Sequence, residues 1–274
     1  MINSNITRRG IAGGFAAGIG LAAAAKTEHT VIRTARAQSN PKTFLLIHGA
    51  WVGGWYCRRV ADLLQQKGHK VFSPTLTGLG ERSHLLSRDI SLETHAMDIV
   101  NVIKWEGLTD ICYVAHSYAG FPASSALDQI AERVSSIVWL DAFKPNDGEK
   151  LVDFLNDARR QPILSAFEKG ELGLKGPKAE FFLVNENDRA LVDSKATPHP
   201  TRTFVEPIKL SGAREKVTKK TYIRANRYPS PGFDKALADC KADKSWVVVE
   251  TSIPGHVIML DAPEWLTDQL LQAA

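Results

Sequence analysis

The 274-residue chain is long enough to bury one large core, and its length does not force a second domain. Hydrophobic residues make up 44% and charged residues 23%, an ordinary soluble balance, and no run of roughly 18 strongly apolar residues argues for stable membrane insertion. The formal net charge of +4 resides in residues 1–37, where Arg8, Arg9, Lys26, Arg33 and Arg36 face Glu28 alone. The remainder is neutral, which removes any charge argument for a nucleic-acid partner.

Residues 1–37 read as an export signal. Arg8 and Arg9 precede the modestly apolar stretch Ile11 to Ala25, and Ala35-Arg36-Ala37 supplies a small-residue cleavage site. Adjacent arginines in Thr7-Arg8-Arg9-Gly10 suggest the twin-arginine route and a periplasmic or secreted protein. A cytoplasmic protein with an N-terminal extension is the alternative. Cys57, Cys112 and Cys240 are widely spaced, with no metal-like Cys/His cluster, so neither a metal nor a redox centre is expected.

From residue 42 onward, short apolar runs alternate with amphipathic stretches, the pattern of a mostly parallel sheet with helices on both faces. Phe44 to Ile47 reads as a strand, Trp55 to Gly68 as a helix and His69 to Ser73 as a strand. Ser91 caps a helix to Trp105, with Glu93 in its first turn. Ile111 to Val114, the helix Tyr118 to Arg133 and the strand Ser136 to Leu140 follow. The alternation then breaks. Residues 142–218, with helical pieces such as Lys150 to Arg159, read as a small inserted cap. Strands resume at Thr221 to Ala225 and Trp246 to Glu250, and Pro263 to Gln272 closes the chain as a helix.

Three loops at strand ends carry the chemistry. Ala115-His116-Ser117-Tyr118-Ala119-Gly120 joins a strand to a helix, where a tight turn can present a serine hydroxyl clear of the sheet. Alanines stand where glycines are usual, but they keep the turn's neighbours small. A helix-capping serine is the bland alternative. His48-Gly49-Ala50-Trp51 follows the first strand and nominates the Ala50 amide, with that of Tyr118, as an oxyanion hole. Gly255-His256 follows the last strand, where a near-neutral histidine can take and return the serine's proton.

The acid partner is less evident. Ile223 to Pro229 holds no carboxylate, so Asp141, at the end of the preceding strand, is favoured over Asp234. Trp51 and Tyr118 flank the oxyanion positions and are expected to touch substrate. Phe143, Phe154 and Phe167 are expected mainly in packing. His84 and His95 read as structural or surface residues, His199 as a cap loop residue, and Arg214 to Lys220 as a solvated face.

At these motifs the chain resembles the α/β-hydrolase superfamily, and more narrowly bacterial relatives of plant methylesterases and hydroxynitrile lyases. The carrying residues are Leu46 to Trp51, Pro74 to Arg82, the Ser117 turn, Leu140 to Phe143 and Gly255-His256. The resemblance implies cofactor-free cleavage of a small, fairly apolar carboxylic ester through an acyl-enzyme, with Ser117, His256 and Asp141 as the triad. A lyase, an amide or C–C bond hydrolase, or a non-catalytic binding protein can share the scaffold. Hydroxynitrile lyases of this group place a lysine soon after the histidine, whereas Val257 to Leu260 stand here. The acyl and alcohol groups, like the oligomeric state, are not fixed by these motifs.

Overall fold

A computed structural model describes residues 40–274, so the proposed leader lies outside the described residues. Six parallel strands form one sheet in the order β2-β1-β3-β4-β7-β8. They are β1 (Thr43–Ile47), β2 (Lys70–Phe72), β3 (Ile111–His116), β4 (Val134–Leu140), β7 (Lys219–Ala225) and β8 (Trp246–Thr251). The connecting helices are α1 (Arg58–Gln66), α2 (Leu92–Trp105), α3 (Gly120–Ile130) and α8 (Pro231–Ala242), with α9 (Ile258–Asp261) and α10 (Pro263–Ala273) closing the chain.

The central strands β1 and β3 are largely apolar and buried because both faces of the sheet are covered there. The strands' period of two divides the core in half. Leu45, Ile47, Tyr113, Ile137 and Trp139 pack in one cluster with residues of α2, α3 and α8. Phe44, Leu46, Cys112, Val114 and Val138 pack in the other with residues of α1, α9 and α10. All three cysteines are buried free thiols. Local signals set the boundaries of α2 as expected. Ser91 Oγ accepts the Thr94 N–H, and Thr94 Oγ1 accepts the Ser91 N–H, each at 3.1 Å.

Between β4 and β7 the chain leaves the sheet. This segment carries α4 (Asp157–Glu168), α5 (Glu186–Lys195), α6 (Arg202–Val205), α7 (Ala213–Lys216) and the antiparallel pair β5 (Gly173–Leu174) and β6 (His199–Pro200). Three expectations change here. The helix expected over Lys150 to Arg159 is a short 3-10 turn, Leu151–Phe154, followed by α4. Asn156 interrupts it because its side chain caps the Arg159 N–H and restarts the helix. His199 is a fully buried strand residue rather than a cap loop residue. Arg214 and Lys220 are buried, not solvated: Arg214 Nη1 donates to the Pro145 carbonyl and to Ser124 Oγ.

Candidate active site

Ser117, Asp141, Ala50 and His256 all lie just beyond the carboxyl ends of strands, so the parallel sheet brings four distant sequence loops to one rim. Ser117 has φ +57, a left-handed conformation that costs a non-glycine residue on the order of 1–2 kcal/mol. Trp51 (φ +65) and Asp141 (φ +43) share that region. The Ser117 turn is held from both sides. Ala115 and Ala119 are fully buried, and the Phe143 N–H donates to the Ser117 carbonyl at 3.2 Å. A Cβ on Gly120 would meet the Phe143 carbonyl oxygen at 1.9 Å, so glycine is required there.

His256 is buried, and its Nδ1 donates to Asp141 Oδ2 at 2.6 Å. Its ring stacks against Tyr228 at 4.7 Å and Phe233 at 5.1 Å, while His116 packs 4.5 Å away on a tilt. The Phe182 carbonyl accepts the His256 N–H at 3.0 Å, and His116 Nε2 donates to the His256 carbonyl at 3.1 Å. Main chain and imidazole are therefore both fixed.

Asp141 is fully buried. Its Oδ1 accepts Arg224 Nη1 at 2.7 Å and the Ala225 N–H at 3.2 Å, leaving Oδ2 to His256. Asp234 is mostly exposed and bonds Arg224 instead. Geometry thus pairs His256 with Asp141 and gives Asp234 to the arginine. Burial alone would lower the Arg224 pKa, but the adjacent Asp141 charge and its hydrogen bonds to Asp234 and Asp141 raise it above the usual arginine value. Arg224 was missed from sequence, although a lone arginine inside the apolar run Tyr222-Ile223-Arg224-Ala225 was a readable signal. His116, Tyr228 and Phe233 were missed as well, because aromatic residues around a histidine come from separate loops.

Ala50, Trp51, Ser117, Tyr118 and His256 line one cavity of about 370 Å³. Ala50 follows β1 and Tyr118 follows Ser117, so both candidate oxyanion residues border the cavity. The Tyr118 hydroxyl donates to His95 Nδ1 at 2.8 Å, so that residue meets the cavity through its ring and backbone. Phe143, Leu155, Ile163, Phe182, Phe204 and Phe233 supply an apolar wall. Phe167 is exposed and Phe154 packs against Phe121, neither of them lining this cavity.

His48 and His95 are buried beside the rim and bonded to backbone groups. His48 donates Nδ1–H to the Gly49 carbonyl and accepts the Leu76 N–H, and burial pushes its pKa down to about 4. Burial does the same for His95, also to about 4, while its Nε2 donates to the Thr77 carbonyl. His84 is exposed. Among the described residues no group of His, Cys, Asp or Glu is placed to hold a metal ion, and no helix is long and apolar enough to cross a membrane.

A parallel sheet with a strained serine turn and a buried histidine–aspartate pair beside one cavity defines the α/β-hydrolase class. The chain belongs to the alpha/beta hydrolase family, whose pattern matches residues 44–269. It is 37% identical over 238 residues to the carbendazim hydrolyzing esterase of Nocardioides sp. (strain SG-4G), covering 83% of this chain and 97% of that one. It is 31% identical over 261 residues to methylesterase 9 of Arabidopsis thaliana, covering 85% and 98%. Among solved structures it is similar to an extracellular alpha/beta-hydrolase from a Paenibacillus species, with a TM-score of 0.74, 21% identity, and coverage of 85% and 99%.

Proposed function

We propose that this chain is a serine esterase that cleaves a small, fairly apolar carboxylic ester through an acyl-enzyme. The observation that carries the reading is the convergence of Ser117 and the His256–Asp141 pair on one apolar cavity. With Nδ1–H held by Asp141, His256 presents a bare Nε2 to the cavity. That nitrogen takes the Ser117 proton as Oγ attacks the ester carbonyl. The Ala50 and Tyr118 amides receive the developing oxyanion, the alcohol leaves with the proton from His256, and water repeats the sequence to release the acid. The carboxylate of Asp141 keeps one tautomer and stabilises the imidazolium.

The esterase names of the two full-length relatives agree with this chemistry. Labelling by a fluorophosphonate probe tests it. Wild type should label and hydrolyse short p-nitrophenyl and methyl esters, while Ser117→Ala and His256→Ala should do neither. A folded wild type that resists the probe would favour a lyase or a binding protein. Residues 1–37 act, in the same reading, as a twin-arginine export leader. N-terminal sequencing of the secreted or periplasmic protein should find cleavage near Ala37.

A further inference from the structure

Trp51 directly follows Ala50, and its left-handed backbone must be held by something outside its own loop. The segment between β4 and β7 holds it at three points. His199 Nδ1 accepts the Trp51 N–H at 3.3 Å, the Thr197 N–H donates to the Trp51 carbonyl at 2.8 Å, and Trp51 Nε1 donates to the Leu174 carbonyl at 3.0 Å. Leu174 and His199 are paired residues of the β5–β6 ladder, so one rung grips both the main chain and the indole of Trp51. The indole leaves no room above it: a Cβ on Gly176 would lie 2.7 Å from Trp51 Cγ.

The tautomer of His199 is set from behind. Thr203 Oγ1 lies 2.9 Å from Nε2 and donates its own proton to the Pro200 carbonyl, so it accepts Nε2–H and leaves Nδ1 bare. The imidazole stacks on Phe204 at 4.4 Å and meets Tyr118 edge-on at 4.4 Å. One fully buried side chain therefore contacts both Tyr118, which follows the serine, and Trp51, which follows Ala50.

We propose that His199 is a positioning residue that aims the Ala50 amide, so that the inserted segment completes the oxyanion hole. The proposal rests on the serine-esterase reading above. Ala50 is one peptide from the gripped atom, so loss of the bond lets the loop relax and turns its N–H away from the developing charge. That affects the transition state more than the bound ester.

The test uses His199→Phe, which keeps the stacking and removes the acceptor, and His199→Asn, whose Oδ1 can stand where Nδ1 was. The wild-type protein is assayed beside them on a short neutral ester. His199→Phe should lower kcat by roughly 10–100-fold with KM changed less than about threefold, and slow fluorophosphonate labelling equally. His199→Asn should restore kcat to within about fivefold of wild type, at a melting temperature no higher than that of the Phe variant. Thr203→Val releases the tautomer without touching the ring and should also lower kcat, giving a readout if the Phe variant does not fold. Wild-type kcat in both His199→Phe and Thr203→Val would overturn the proposal, as would equal losses in the Phe and Asn variants. If wild type shows no Ser117-dependent turnover, the esterase reading itself fails and this inference falls with it. Ser117→Ala distinguishes that case from the others.

Discussion

Asp141→Asn separates the histidine's partner from every other acid in the chain. The buried carboxylate meets donors on both sides: Arg224 Nη1 and the Ala225 N–H at Oδ1, and His256 Nδ1 at Oδ2. An asparagine cannot satisfy all three. Two donors at the Oδ1 position force the amide oxygen there, so the NH2 group faces His256. The imidazole must then expose a bare Nδ1 and carry its proton on Nε2, where it can no longer accept from Ser117. Asparagine tolerates the left-handed backbone, so the loop survives. The expected loss in kcat is roughly 10³–10⁴-fold, the scale known for a wrong tautomer in serine hydrolases, or about 4–5.5 kcal/mol of transition-state stabilisation. Arg224 loses one of its two carboxylates, so the melting temperature should fall as well. Steady-state kinetics with thermal unfolding measure both. A kcat within tenfold of wild type would refute the tautomer argument, and a larger loss in Asp234→Asn would move the role to that residue.

Three further outcomes follow from particular contacts. Gly120→Ala places a Cβ 1.9 Å from the Phe143 carbonyl in a fully packed turn, so it should destabilise the fold by about 1–3 kcal/mol and cut turnover, as denaturant melts and kinetics would show. The pKa values of His48 and His95 are lowered to about 4, so the unfolded chain takes up protons first as pH falls. Their contribution is complete above about pH 6.5 and is lost towards pH 4, about 2 kcal/mol per histidine at pH 5, and urea titrations should show a shallower slope in His95→Gln. Arg159 and Lys175 line the cavity and none of its lining residues among those described is acidic. Half-esters with a distal carboxylate should therefore lose at least fivefold in kcat/KM in Arg159→Gln, while a neutral ester of equal length should change less than twofold.

The parts of the site legible in sequence were those carried by one short motif. Ser117 between an apolar strand and a small-residue helix start, His256 after the last strand, and the glycine-rich loop through Ala50 each announce themselves within six residues. The strands were legible for a related reason. A parallel sheet covered on both faces must be nearly continuous in apolar residues, and the helices between need one apolar stripe. Within 142–218 those signals weaken, because α4 buries only Ile163 and Ala166 and the four-residue helices and two-residue strands are too short to show a period of their own.

Sequence by itself determined the class of fold and singled out Ser117 and His256 at strand ends, since the succession of strands and helices and the turn chemistry are local patterns along the chain. It favoured Asp141 over Asp234, but only the tertiary structure brought Asp141 Oδ2 to His256 and turned Asp234 towards Arg224. It read His199 as a loop residue and Arg214 and Lys220 as solvated, and packing reversed all three. The physical reason is the same throughout. A polar side chain's role depends on which donor or acceptor lies within about 3 Å of it, and in this chain those partners are up to 201 residues away.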